Sequence, residues 1–196
     1  MPDEATPDPV IQPPISEGSP SEPPAAREVE TVSADRANPV AHVVLYQPEI
    51  PPNTGNIGRS CVAVGAKLWI VRPAAFDYSE KRVRRAGLDY WQHLDFDDAE
   101  NWGELVQKLP ATNIYFFSRF AERTIWDVEF QHGDCFVFGS ESKGLPREIV
   151  QPGNPQALRL PTTKVVRSLN LATTAGIVLF EQQRQLHQRA QQAGNS

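Results

Sequence analysis

The chain has 196 residues and a net charge of −5, from 19 basic and 24 acidic side chains. Residues 1–40 hold nine of the 18 prolines, two bases and eight acids, so this segment carries −6 and the remainder +1. The nearly neutral remainder excludes a domain-wide cationic surface, so a nucleic-acid site would have to be a local patch. No apolar run approaches the ~18 residues of a membrane span, and the four histidines and two cysteines lack metal-ligand spacing.

The composition predicts two regions. Residues 1–40 contain no aromatic side chain and cannot bury enough apolar surface to offset the entropy of ordering, which predicts a disordered acidic tail. The tail lacks the basic and apolar regions of a targeting peptide. Residues 41–196 have the size of one domain. Cys61 and Cys135 lie in apolar runs, which indicates buried free thiols in a reducing cytoplasm and leaves a single disulfide as the alternative.

Within the predicted domain, the run "AHVVLYQ" is typical of a strand that is buried on both faces. A loop rich in proline and glycine follows. The spacing of Ile57, Cys61 and Val64 then predicts a helix that ends at Gly65. "KLWIVRP" predicts a second strand, "SEKRVRRAGLDYW" a helix capped by Ser79, and "DDAENWGELVQKL" an amphipathic helix.

The second half of the chain continues this alternation. "NIYFFS", "DCFVFG" and "LRLP" predict three strands, and "SLNLATTAGIVLFEQQRQLHQRAQQ" predicts a long helix with Ser168 as its candidate N-cap. Strands that alternate with helices predict an α/β domain with a mostly parallel sheet flanked by helices. Ligands bind beyond the carboxyl ends of such strands. The loops after the strands are therefore the candidate site.

Three of these loops carry polar side chains that could bind a ligand or take part in catalysis. "PEIPPNTGNIGR" places Asn53, Asn56 and Arg59 near the start of a helix, where backbone donors are free. "FGSESKGLP" contains Glu141, which could cap a helix or orient an arginine. "LRLPTTKVVRSLNLATTAG" brings Asn170 to a helix start, and its low helix propensity indicates a local hydrogen bond. GxGxxG, P-loop and GxSxG signatures are absent.

The stretches "LYQPEIPPNTGNIGR", "KRVRRAGLDYW", "VFGSESKGLP" and "RLPTTKVVRSLNLATTAGIVLFE", in this order and spacing, resemble the SPOUT RNA methyltransferases. Within that class they are most similar to the TrmL type, which methylates the 2′-hydroxyl of cytidine or modified uridine at tRNA position 34. The resemblance covers about residues 41–185. It implies an α/β fold with a C-terminal trefoil knot, bound S-adenosylmethionine (AdoMet), no metal and a homodimer that acts on the anticodon loop of tRNA.

The resemblance also implies roles for individual residues. Arg59, Asn56, Asn170 and Glu141 correspond to catalytic positions, and Arg59 is expected to bind a phosphate and stabilise the developing alkoxide rather than act as a base, because a guanidinium keeps its proton. The expected cofactor-binding residues are Phe117, Gly139, Leu160, Ser168 and Leu169. The expected RNA-binding residues are Lys81, Arg82, Arg84, Arg85 and Arg167.

Three alternatives stay open from the sequence. The same chemistry could act on another tRNA position or on ribosomal RNA. The domain could be a knotted RNA-binding module without catalytic activity. The acidic tail could recruit a protein partner.

Overall fold

The computed structural model describes residues 35–76, 89–110 and 113–194. The predicted helix with Lys81, Arg82, Arg84 and Arg85, including its proposed cap at Ser79, lies outside these residues, as does most of the predicted tail. The described strands are β1 (Ala41–Tyr46), β2 (Lys67–Val71), β3 (Asp95–Ala99), β4 (Ile114–Phe117), β5 (Arg123–Thr124), β6 (Asp134–Phe138) and β7 (Ala157–Arg159). The helices are α1 (Pro51–Val64), α2 (Trp102–Lys108) and α3 (Leu171–Gly194).

The seven strands form one sheet in the order β3-β2-β1-β6-β4-β7-β5. Every pair of neighbouring strands is parallel, which confirms the predicted α/β class. The carboxyl ends of β1, β6, β4 and β7 therefore lie side by side at one edge of the sheet. The loops that follow these four strands meet there.

Both faces of the sheet are covered, as the apolar run of β1 predicts. Val43 and Leu45 belong to the core under α1 and α3, whereas Val44 belongs to a second core on the side of α2. Cys61 lies in the first core and Cys135 in the second, and both thiols are free and buried. Burial raises the pKa of each thiol well above its usual value. The predicted buried free thiols are confirmed.

The sequence-based prediction for α2 was partly wrong. "DDAENWGELVQKL" does not form one helix, because Asp98 and Ala99 end strand β3 and the helix begins at Trp102. Asn101 caps that helix by accepting a hydrogen bond from the Glu104 N–H at 3.0 Å. The acidic strand pairs with β2, where the Lys67 ammonium lies 3.7 Å from the Asp95 carboxylate. Lys67 therefore offsets part of the negative charge of β3, and this charge is the reason that β3 does not have the apolar pattern of a buried strand.

The start of α3 also differs from the prediction. Asn170, not Ser168, caps the helix, since its Oδ1 accepts hydrogen bonds from the N–H groups of Ala172 at 2.8 Å and Thr173 at 3.2 Å. Farther along, the buried Gln182 amide donates to the carbonyls of Val40 and Gln131. These bonds fix α3 against the entry to β1 and the loop before β6.

One buried side chain at the amino edge of the sheet makes stability depend on pH. The Nδ1 atom of His42 accepts a hydrogen bond from Trp69 Nε1 at 3.1 Å. Burial, followed by repulsion from Lys67, lowers the pKa of His42 from 6.5 to about 4, although Asp95 acts in the opposite direction. The folded state thus holds the neutral imidazole while the unfolded chain takes up a proton.

We therefore expect stability to be complete above pH 6.5 and to fall as the pH drops toward 4, by about 3 kcal/mol in total. Urea unfolding of the native chain and of His42→Gln between pH 7.5 and 4 measures this loss. The free-energy gap between the two proteins should shrink over that range, whereas His132→Gln, at an exposed position, should leave the pH profile unchanged. Parallel profiles for the native chain and His42→Gln would contradict the assignment.

Candidate functional site

A cavity of about 580 Å³ opens at the carboxyl edge of the sheet. Ile50 and Asn53, at the start of α1, form one wall. The other walls come from the loops after β4, β6 and β7 and from the first turn of α3. The cavity therefore lies where the parallel topology predicts a ligand.

The cavity brings together most of the residues predicted from the sequence. Its lining includes Phe117, Gly139, Glu141, Leu160, Arg167, Ser168, Leu169 and Asn170. Asn56 and Arg59 are not in the lining and lie on the exposed side of α1. Asn53, from the same predicted loop, is buried and belongs to the lining of the cavity.

Both asparagines belong to α1, because the helix begins earlier than the sequence indicated. The sequence suggested a loop as far as Asn56, but the helix begins at Pro51. Proline is favoured in a first helical turn because its missing N–H would have no intrahelical acceptor there. Asn53 and Asn56 are three residues apart, about 60° around the helix axis, and the boundary between the buried and the exposed side of α1 falls between them.

The loop after β6 closes tightly on itself. A Cβ atom on Gly139 would lie 2.1 Å from the carbonyl carbon of Gly144 and 2.3 Å from the Leu145 nitrogen. The Gly144 N–H donates to the Ser140 carbonyl at 2.8 Å, and Gly144 has a φ of +72°. Position 139 thus requires glycine for lack of space, and position 144 favours it for its left-handed backbone. Both glycines shape this wall of the cavity.

A chain of hydrogen bonds joins the three loops. Glu141 accepts from the N–H groups of Glu49 at 2.8 Å and Ile50 at 3.3 Å, and from Asn53 Nδ2 at 2.9 Å. The Asn53 Oδ1 atom accepts from Asn170 Nδ2 at 3.0 Å. Ile50 is the N-cap residue of α1 and makes no side-chain cap bond. The Glu141 carboxylate instead binds the N–H groups of the two residues that precede the first helical turn, and it places a negative charge at the amino end of α1.

A second carboxylate completes this connection. Glu49 accepts from the N–H and Oγ of Ser142 at 2.9 and 2.7 Å. These two bonds hold the pKa of Glu49 below its usual value. The loops after β1 and β6 thus exchange hydrogen bonds in both directions, which fixes the cavity wall before a ligand arrives.

Arg59 is oriented by an aromatic contact outside the cavity. Its guanidinium carbon lies 4.7 Å from the centre of the Tyr90 ring, and the Tyr90 hydroxyl donates to the Gly55 carbonyl at 2.6 Å. Trp91 packs so closely that a Cβ on Gly58 would lie 3.1 Å from its ring. Gly58 therefore lies directly against this ring, and Arg59 is presented on an exposed face of α1.

The cavity carries a positive charge that only partly follows from the sequence. Its basic lining residues are Arg119, Lys143, Arg159, Lys164 and Arg167, and Glu141 is the one acidic residue among the described lining. Only Arg167 was predicted, because the five cations come from three loops separated by up to 48 positions in the sequence. This excess of positive charge suits the binding of an anionic ligand.

Two further features concern the described residues as a whole. No helix among them is long and apolar enough to cross a membrane. No three His, Cys, Asp or Glu side chains in this part of the chain come together as a group that could hold a metal ion.

Comparison with known sequences identifies the relatives of this chain. Residues 41–180 match the family described as SpoU rRNA Methylase. A tRNA (cytidine(34)-2′-O)-methyltransferase from Methylovorus glucosotrophus is 42% identical over 144 residues, which is 73% of this chain and 94% of that protein. A protein of the same name from Burkholderia cenocepacia is 43% identical over 148 residues, covering 74% and 94%.

Solved structures agree with the fold. One, described as structural insights into the 2-OH methylation of C/U34 on tRNA, is 40% identical with a TM-score of 0.69, covering 75% of this chain and 96% of that one. The SpoU methyltransferase AviRb from Streptomyces viridochromogenes, in complex with the cofactor AdoMet, is 24% identical with a TM-score of 0.66, covering 77% and 62%. The second likeness concerns the fold alone. The family match and the sequence identities together show that this chain belongs to the SpoU methylase family.

Proposed function

We propose that the chain is an AdoMet-dependent methyltransferase that modifies the ribose 2′-hydroxyl of the wobble nucleotide, position 34, in tRNA. The observation that carries the proposal is the cavity in which the loops after β1, β6 and β7 meet. The chain that forms it is 42–43% identical to relatives named for this reaction. The identity extends over 94% of each of those relatives.

The cavity fits the cofactor in size and character. Its volume of about 580 Å³ falls within the range of small-molecule sites. Phe117, Leu160 and Leu169 offer apolar walls for an adenine ring, and the close backbone approach at Gly139 leaves backbone groups of that loop to orient a ribose. AdoMet supplies a methyl group that its positively charged sulfonium already activates. The protein's task is therefore alignment.

The five cations of the lining support binding of the RNA backbone. They surround the cavity with a net positive charge in a domain that is otherwise almost neutral, which is the local patch that phosphate binding requires. We assign Arg167 to phosphate binding, with Lys81, Arg82, Arg84 and Arg85 as a second proposed contact to the RNA.

Arg59 requires a second subunit in this proposal. It lies on the exposed face of α1 and outside the lining of its own cavity. The neighbouring helix α3 exposes Ile177 and Phe180, apolar side chains that a subunit contact would cover. We propose a homodimer in which Arg59, with Asn56 beside it, reaches the cavity of the partner subunit, binds the phosphate next to the target ribose and stabilises the charge that develops on its 2′-oxygen.

Methyl transfer from labelled AdoMet to unmodified tRNA tests this function. We expect incorporation into tRNA and none into a ribosomal RNA fragment. Incorporation only into the ribosomal fragment would favour the first alternative, and AdoMet binding without transfer to any RNA would favour a non-catalytic module. A chain that lacks residues 1–40 should be as active as the full chain, since we propose that the domain comprises residues 41–196.

A further inference from the structure

Phe120 is a large aromatic side chain that the fold leaves in solvent at the rim of the cavity. It follows β4 by three residues, its side chain is 79% exposed, and it belongs to the cavity lining. Trp126 and Phe180 are also exposed, at 71% and 58%, but neither belongs to the lining. Of these three aromatic residues, only Phe120 therefore combines exposure with a place at the cavity.

The backbone around Phe120 is fixed rather than loose. The Phe120 N–H donates to Ser118 Oγ at 3.3 Å, and the Ala121 N–H donates to the Ser118 carbonyl at 3.1 Å. The Ser118 N–H in turn donates to the Leu158 carbonyl of β7 at 3.0 Å. This turn is anchored to the sheet, so the phenyl ring is presented at a defined place.

A guanidinium lies against the same ring. The central guanidinium carbon of Arg119 is 4.6 Å from the centre of the Phe120 ring, the distance of a cation–π contact. Arg119 also lines the cavity and is exposed. Such a pair is suited to an unpaired nucleotide, because the aromatic ring stacks on the base while the positive charge attracts the phosphate.

The surroundings favour a nucleotide over an apolar protein partner. The described lining also carries Lys143, Arg159, Lys164 and Arg167, so the ring stands in a cationic rim. The adenine of the donor is the alternative partner for the ring, and a weaker Kd for AdoMet in Phe120→Ala would identify it.

We propose that Arg119 and Phe120 form a stacking platform for an unpaired base of the RNA substrate, at the nucleotide that flanks the methylated ribose. The inference rests on the proposed function and extends it, because it assigns substrate positioning to two residues outside the predicted site. The platform selects a single-stranded loop, since a base inside a helix is already stacked on its neighbours.

The test uses the full-length protein, an anticodon stem-loop and the variants Phe120→Ala, Phe120→Trp and Arg119→Ala. We expect Phe120→Ala to raise KM for the stem-loop about 10- to 100-fold with kcat and the Kd for AdoMet nearly unchanged. Phe120→Trp should retain the native KM, and Arg119→Ala should weaken binding and reduce its dependence on salt. Trp126→Ala is the matched control, an exposed aromatic removed away from the cavity, and should behave as the native protein.

A fluorescent base makes the contact visible. With 2-aminopurine placed on either side of the target nucleotide, the native protein should change its emission at one of the two positions, and Phe120→Ala should not. If the native protein methylates the stem-loop and Phe120→Ala matches it in KM and fluorescence, the platform is wrong. A weaker Kd for AdoMet, or a change of oligomeric mass, in Phe120→Ala would also overturn it. If the native protein methylates no RNA, the proposed function is wrong. The fluorescence change alone then shows whether Phe120 stacks on an RNA base.

Discussion

Replacing Gly139 by alanine is expected to raise the Kd for AdoMet about 100-fold. The added Cβ would lie 2.1 Å from the Gly144 carbonyl carbon, 2.3 Å from the Leu145 nitrogen and 2.5 Å from the Gly144 oxygen. These atoms are backbone, so no side-chain rotation relieves the clash and the loop has to open. A displacement that costs about 3 kcal/mol corresponds to about two orders of magnitude in affinity, provided that the loop holds the donor.

Gly144→Ala provides the matched control in the same loop. Nothing lies within 4 Å of a Cβ added there, but the φ of +72° is unfavourable for alanine. The cost of this conformation, about 1–2 kcal/mol, predicts at most a roughly 5- to 30-fold change in Kd. Isothermal titration calorimetry with AdoMet and a thermal melt of each variant measure affinity and folding separately. A native Kd for Gly139→Ala would place the donor elsewhere.

Arg59→Ala is expected to lower kcat for methyl transfer by about 10²–10³-fold and to leave the Kd for AdoMet unchanged. The reason is positional, since Arg59 lies outside the lining of its own cavity and makes its described contact with Tyr90. Arg59→Lys keeps the charge but loses the planar fork that binds phosphate through two bonds, so it should recover only part of the rate. Single-turnover kinetics with saturating tRNA measure the chemical step directly.

Mixing two impaired variants, at an AdoMet concentration near the native Kd, tests whether Arg59 acts across a subunit boundary. Arg59→Ala has an intact cavity and Gly139→Ala has an intact Arg59, so a mixed dimer contains one complete site. Co-expression of the two should restore about one quarter of native activity if the dimer is symmetric and subunits pair at random. No recovery from co-purified mixed dimers would show that Arg59 serves its own cavity.

The strands of the fold could largely be predicted because β1, β2, β4 and β6 are buried on both faces and read as continuous apolar runs. The run "DFDDA" of β3 could not be recognised in this way. Its charges are matched by Lys67 and Arg72 on the neighbouring strand and the residue after it, and this pairing exists only in three dimensions. The trefoil knot and the homodimer stay predictions from the resemblance.

The site could be predicted as three loops but not as a set of contacts. Glu141 and Asn170 stood out in the sequence, yet the residue that joins them is Asn53, and neither of these two hydrogen bonds is local in sequence. The cations Arg119, Lys143, Arg159 and Lys164 are isolated in the sequence and become a group only when the sheet brings their loops together. Local patterns thus indicate which loops matter, whereas topology decides which side chains meet.

The most direct test of the central claim is the position of the methyl group. An unmodified tRNA with cytidine at position 34 is incubated with the protein and AdoMet, digested with nuclease and mapped by mass spectrometry, beside the same tRNA with 2′-deoxycytidine at that position. We predict a single 2′-O-methyl group at position 34 in the first tRNA and no methylation of the second. Equal methylation of both, or a methyl group on a base or at another position, would contradict the proposed reaction.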